Sequence, residues 1–187
     1  MRVISGKAGG LRLKTIKGNS TRPTADIVKE GAYNIIAAKV PGSVVLDLFA
    51  GSGGLGIEAL SRGADSCTFV DNNAACCFVI SENLNKAHFN QKTEILKSGV
   101  DQAIVQLSRK GFKFDIILLD PPYYKNIVTS TLNSICNNDI INNDGIVIAE
   151  RHKKDVVPDS VANLVMLKER RYGDTVISIY CLKGCLD

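Results

Sequence analysis

Asp120-Pro121-Pro122-Tyr123 follows the most apolar stretch of the chain, Phe114 to Leu119. Two consecutive prolines fix φ and exclude helix, so they would hold the Asp120 side chain and the neighbouring carbonyl oxygens rigidly outward. The exocyclic amine of a nucleobase is a poor nucleophile because its lone pair is delocalised into the ring. Two acceptors, the Asp120 carboxylate and the Pro121 carbonyl, can grip its hydrogens and localise that pair. Tyr123 offers a flat face on which an extruded base can stack, a contact worth roughly 1–3 kcal/mol per base, and Pro122 can complete the clamp. Taken alone, the same tetrapeptide could simply end a strand.

A second constellation narrows the choice. Gly51-Ser52-Gly53-Gly54-Leu55-Gly56 satisfies G-x-G-x-x-G, and Asp71 lies twenty positions beyond Gly51. Such a loop brings backbone close to a ligand at the end of a first strand, while the acid ending the second accepts ribose hydroxyls. A nicotinamide dinucleotide and S-adenosylmethionine both carry that ribose, so the loop alone does not choose between them. Asp47, four residues before Gly51, favours the second, because a carboxylate there can hold an ammonium but would repel a pyrophosphate. A dehydrogenase would also need a further domain for its substrate. The expected cofactor is S-adenosylmethionine, with S-adenosylhomocysteine as product.

The elements that must position these groups alternate. Val44 to Phe49, Cys67 to Asp71, Thr93 to Leu96, Phe114 to Leu119 and Gly145 to Ala149 read as strands. Helical patterns fall at Leu55 to Leu60, 73–86, 101–109 and near 127–136. Another helix opens at Thr24 with Val28, Ala32, Ile35 and Ile36 as its apolar stripe. Val3-Ile4 and Leu11 to Leu13 around Gly9-Gly10 suggest a small β-hairpin. Two β-rich pieces, 164–170 and 175–182, should form a closing hairpin. Apolar central strands alternating with helices predict an α/β fold, a mostly parallel sheet with helices on both faces and one antiparallel edge strand. The expected division is a basic hairpin extension, 1–20, followed by a catalytic domain, 21–187.

Composition sets further bounds. The chain of 187 residues carries a formal charge of +4, too mild by itself to indicate nucleic acid. Yet Arg2, Lys7, Arg12, Lys14, Lys17 and Arg22 occupy the first 25 positions with no Asp or Glu among them, which suits phosphate. A solvated basic hairpin that merely aids solubility would look the same. No run of eighteen apolar residues and no signal-like leader occur, so a soluble, cytoplasmic protein without a membrane partner is expected. Six cysteines contain no C-x2-C pair, and only His88 and His152 accompany them. They read as reduced core thiols, with no metal site.

These residues resemble those of the RsmD-type bacterial 16S ribosomal RNA guanine-N2 methyltransferases over almost the whole chain. The likeness is carried by Met1 to Gly6, Arg22-Pro23-Thr24, Val45 to Gly56, Phe69-Val70-Asp71, Asp120 to Tyr123 and Tyr172-Gly173-Asp174-Thr175. It implies a Rossmann-like class I methyltransferase with a seven-stranded sheet, and methyl transfer to the exocyclic N2 of a guanine in small-subunit ribosomal RNA. It also implies that Arg22 and Thr24 lie near the methionine end of the donor, and that Asp71 and Asn72 meet its ribose. Asp47, Phe49, Ala50, Gly51, Gly53 and Asp120 would line the donor, with Gly99 and Val100 against adenine. At that last place Ser98-Gly99-Val100 departs from the polar residue common in the family, so backbone and apolar contact is expected there. Arg2, Lys7, Arg12, Lys14 and Lys17 are the candidate RNA contacts. Asp120, Pro121, Pro122 and Tyr123 are the candidate catalytic group.

The expected partner is 16S ribosomal RNA, within a 30S particle or assembly intermediate, met by a monomer. Two rival functions use the same residues. An adenine-N6 or cytosine-N4 methyltransferase would employ the same amine chemistry, and a non-catalytic RNA-binding module would keep the fold without turnover.

Overall fold

The computed structural model describes residues 1–16, 23–122 and 127–186. Its centre is one sheet in the order β3-β2-β1-β4-β5-β8-β7-β6. The strands are β1 (Val44–Leu48), β2 (Ser66–Asp71), β3 (Thr93–Lys97), β4 (Phe114–Leu119), β5 (Ile141–His152), β6 (Ser160–Val161), β7 (Leu164–Tyr172) and β8 (Thr175–Leu182). The first five run parallel, and β8 is antiparallel to both β5 and β7.

Successive residues of β1 and β4 serve opposite cores, as the period-2 geometry of a strand requires. Val45, Ile116 and Leu118 join a core with α1 (Pro23–Ile35), α2 (Gly54–Ser61) and α3 (Ala74–Ala87). Leu46, Leu48, Ile117 and Leu119 join the other, with α4 (Val100–Arg109) and α5 (Ile127–Asn137). Burial on both faces explains why these strands are apolar except for Asp47 and Asp115.

The sheet has eight strands rather than seven. The extra one, β6, is two residues long and pairs antiparallel with the outer edge of β7. Such a bridge is too short to leave a period in the sequence, and arises because the chain returning from β5 passes beside β7. The β7–β8 hairpin is formed as expected. At the N-terminus the two anticipated strands reduce to one antiparallel bridge, Arg2 to Arg12.

The N-terminal hairpin is fastened to the sheet's helices. Val3 and Leu13 are buried in the first core. Fully buried Glu58 of α2 accepts from the N–H groups of Ile4 (2.7 Å) and Ser5 (3.0 Å). Its carboxylate also pairs with Lys29 Nζ (3.5 Å) and Arg62 Nε (2.8 Å). Ser61 adds a second fastening, donating to the Ser5 carbonyl (2.5 Å) and accepting from the Ala8 N–H (2.9 Å).

Candidate active site

The carboxyl ends of β1 to β5 lie along one edge of the sheet. Strand order reverses between β1 and β4, where an open α/β sheet leaves a crevice for ligands. The glycine loop leaves β1 on one side of that break. Asp120-Pro121-Pro122 leaves β4 on the other, with Leu48 registered to Leu119.

Three residues of the loop adopt left-handed backbone: Phe49 (φ 62°), Gly51 (φ 57°) and Gly53 (φ 77°). Glycine tolerates this freely, whereas at Phe49 it costs of order 1–3 kcal/mol. Phe49 packs its half-buried ring against the second core, which holds the turn in place. The later glycines serve close approach. A Cβ on Gly56 would lie 2.4 Å from Phe69 Cε1 and 2.6 Å from Cys67 Sγ, so α2 sits directly on β2.

Asp71 ties the loop down from β2. Its Oδ2 accepts the Gly51 N–H (2.9 Å) and its Oδ1 the Asn73 N–H (2.8 Å). Each oxygen keeps further lone-pair capacity, and the side chain is half-exposed, so ribose hydroxyls can still reach it. Asn72 is exposed beside it, and Ala50 is buried with its N–H donated to the Val70 carbonyl (3.0 Å). Half-buried Gly99 and Val100 open α4 next to this corner, after a Ser98 N–H donated to the Asp71 carbonyl (3.1 Å).

Asp47 is only 1% exposed. Its Oδ2 accepts the Gly56 N–H (2.8 Å), one of the orphan donors in the first turn of α2. Gly53, the N-cap, has no side chain to serve that turn, so a strand residue does so instead. Burial pushes the Asp47 carboxyl up to about 7 against the Gly56 hydrogen bond, which lowers it, with Asp71 adding repulsion. A cation arriving at the loop would favour the ionised form.

Asp120 is exposed at the end of β4. Enclosure by the surrounding protein, then the charges of Glu150 and Asp47, push its carboxyl well above the ordinary carboxylate range. Pro121 is buried and Pro122 exposed, which anchors the turn and leaves its outer face open. Glu150 comes alongside because Leu119 is registered to Ala149. By strand alternation Asp47, Asp120 and Glu150 all fall on the α1 side of the sheet. Glu150 lines a recess there with Lys29, Tyr33 and Leu55.

Arg22, Lys17 and Tyr123 lie outside the described residues, as does the side chain of Thr24. Arg2, Lys7, Arg12 and Lys14 are all exposed. Arg2 pairs with Asp26 (3.3 Å) and Lys14 with Glu82 (2.5 Å). Lys86 donates to the Arg12 carbonyl (2.7 Å) and so adds a cation to the hairpin's surface that sequence reading had not assigned there. Sequence reading also missed Asn83 and Glu58. Both are polar positions inside helices, and nothing local says which distant backbone such a side chain will meet.

A sheet that reverses order between β1 and β4, with a glycine loop on one side and an Asp-Pro-Pro turn on the other, is the build of a Rossmann-like methyltransferase using S-adenosylmethionine. Among solved structures, an Escherichia coli protein, YhhF, provisionally described as a methyltransferase, superposes with a TM-score of 0.86 at 28% identity, over 97% of each chain. The chain belongs to the RsmD-type family: the family model described as "Conserved hypothetical protein 95" matches residues 1–181. It is 39% identical over 184 residues to YlbH of Bacillus subtilis, provisionally named an rRNA methyltransferase, covering 98% of this chain and 100% of that one. It is 30% identical to the ribosomal RNA small subunit methyltransferase D of Haemophilus influenzae, over 96% of this chain and 93% of the relative.

Proposed function

We propose that this protein transfers a methyl group from S-adenosylmethionine to the exocyclic N2 amine of a guanine in 16S ribosomal RNA. The reading is carried by one observation: Asp120-Pro121-Pro122 ends the strand next to the glycine loop, with Leu119 and Leu48 in register. Acceptors for an amine therefore stand one strand-spacing from the donor's cradle. Ribosomal RNA as the substrate class is supported by family membership and by the relatives' names, and guanine N2 by the motif resemblance.

In this mechanism the exposed hairpin cations meet phosphate, and the target guanine leaves its stack. Asp120 and the Pro121 carbonyl accept its amine hydrogens, while Pro122 and Tyr123 clamp the ring. Arg22, Thr24, Asp47, Phe49, Ala50, Gly51, Gly53, Asp71, Asn72, Gly99 and Val100 would hold the donor, which would supply the methyl group and leave as S-adenosylhomocysteine. Orienting two reactants this way can supply up to roughly 7–11 kcal/mol. As the amine loses a proton after transfer, a carboxyl raised like that of Asp120 is suited to accept it. We place the acceptor in a 30S particle or assembly intermediate and the monomeric enzyme in the cytoplasm. Among the described residues no helix is long and apolar enough to cross a membrane.

The test uses methyl-labelled S-adenosylmethionine with undermethylated 30S particles, naked ribosomal RNA or duplex DNA, followed by mass spectrometry of the nucleosides. N2-methylguanosine from particles or RNA supports the reading. N6-methyladenine or N4-methylcytosine would overturn the base assignment while keeping the amine chemistry, and no transfer to any acceptor would overturn the function.

A further inference from the structure

Asn83 of α3 is fully buried, yet none of its side-chain hydrogen bonds is made within its own helix. Its Oδ1 accepts the Lys14 N–H (2.8 Å), and its Nδ2 donates to the Lys14 carbonyl (3.0 Å). The carboxamide thus pairs with one backbone residue as a neighbouring strand would. The second Nδ2 hydrogen goes to the Ser52 carbonyl (2.9 Å), between the two left-handed glycines of the donor loop. Both amide hydrogens are spent, one on the hairpin and one on the loop.

A separate contact joins the same two parts. The Met1 thioether lies over Gly54, where an added Cβ would come within 2.1 Å of its sulfur, and Ser52 Oγ donates to that sulfur at 3.6 Å. The Leu13 N–H donates to the Met1 carbonyl (3.1 Å), so both ends of the hairpin converge on Ser52 and Gly54. Glu58 fastens the hairpin's other side to the helix that this loop enters.

We infer that Asn83 is a positioning residue that makes the N-terminal hairpin and the donor loop one mechanical unit, so that RNA on the hairpin and donor on the loop strengthen each other's binding. This inference rests on the methyltransferase reading above. Asn83 touches neither ligand and acts only through the backbone of Lys14 and Ser52. Ordering either backbone leaves less freedom to be lost when the other ligand binds, which is positive coupling without a change of shape. Coupling between sites is reciprocal and commonly about fivefold or more in affinity.

The first measurement uses the unaltered protein: amide hydrogen exchange at Leu13 and Lys14 with and without saturating S-adenosylhomocysteine. The expected result is about fivefold slower exchange at Lys14 on binding, although the hairpin is not part of the donor cradle. The second measures the affinity of S-adenosylhomocysteine with and without undermethylated 30S particles, for the wild type and for Asn83→Asp. That variant keeps the acceptor for the Lys14 N–H and loses both donors. Wild-type coupling of about fivefold that falls to none in Asn83→Asp supports the inference. Unchanged Lys14 exchange in a protein shown by calorimetry to bind S-adenosylhomocysteine overturns it, whether or not the variant folds. A wild type that binds both ligands independently overturns it while leaving the methyltransferase reading intact, and a wild type that binds neither overturns both.

Discussion

The two sides of the β1/β4 break are built on opposite plans. On the donor side, Asp47, Asp71 and Asn83 are each bonded to the backbone of the glycine loop or of the helix it opens. The left-handed turns are thereby held before any ligand arrives. On the proposed acceptor side, Asp120 is exposed at the end of β4, and the charges that raise its carboxyl, Glu150 and Asp47, carry the same sign. The difference follows from what each side must do. A cofactor is recognised largely by backbone, so the backbone has to be fixed in advance. In the proposed mechanism a transient amine is recognised by acceptors that must stay open to an incoming base.

The sharpest way to break this contrast is at the fastening of the donor side. Glu58→Gln leaves Lys29 and Arg62 without their buried partner, and removing one member of a buried pair costs about 3–5 kcal/mol. A thermal melt should show a drop of about 10 °C for a chain of this size. An unchanged midpoint would mean that the hairpin is not held by that carboxylate.

Next in size is the acceptor side itself. Asp120→Ala should lower kcat at least about 10²-fold, the scale of losing one aligned polar partner of a reacting group. Donor affinity, measured by calorimetry, should hardly change. Loss of both would show that Asp120 belongs to the donor cradle, and the two-plan contrast would collapse.

Asp71→Asn should do the reverse. Its amide can accept only one of the two N–H groups now held by the carboxylate, so the loop loosens and KM for S-adenosylmethionine rises about tenfold with a smaller change in kcat. Ten-fold corresponds to about 1.4 kcal/mol, close to the lower end of what a hydrogen bond to a charged group contributes.

Asp47 separates the two sides by pH. A carboxyl raised from 3.8 to about 7 is more protonated in the folded than in the unfolded chain between those values. Stability of the unliganded protein should therefore fall with rising pH by up to about 1.4 kcal/mol per unit across that window, and level off above it. Asp47→Asn should remove this slope in denaturant titrations between pH 4 and 8, while an identical slope would assign the titration elsewhere. The smallest effect is expected at the surface: replacing Arg12 and Lys14 together should weaken RNA binding and reduce the salt slope by about 1 for each phosphate that is no longer neutralised.

Much of this was legible in the sequence, for reasons that can be traced residue by residue. Val44 to Leu48 and Phe114 to Leu119 are apolar except for Asp47 and Asp115 because both their faces are buried, and that pattern points to a parallel sheet. Gly51, Gly53 and Gly56 are readable because left-handed turns favour glycine and close helix–strand contact requires it, whereas the left-handed Phe49 leaves no such mark in the sequence. The two-residue β6 was not legible, since a strand of that length has no period. Nor was the reduction of the N-terminal hairpin to a single bridge, because besides the few backbone bonds between its arms it is held by the side chains of Glu58, Ser61 and Asn83, which lie far away in sequence.

The sequence by itself determined the order of elements, the glycine loop and the Asp-Pro-Pro turn, since each depends on properties that neighbouring residues carry: apolar runs, glycine's backbone freedom and proline's fixed φ. Only the tertiary structure decided how the site is held together. Asn83 reaches Lys14 across 69 positions, Glu58 reaches Ile4 across 54, and Asp47 reaches forward nine to cap the first turn of α2. A buried polar side chain must find a partner, but sequence states only that it is polar, and the identity of the partner exists only once the sheet has brought distant backbone alongside it.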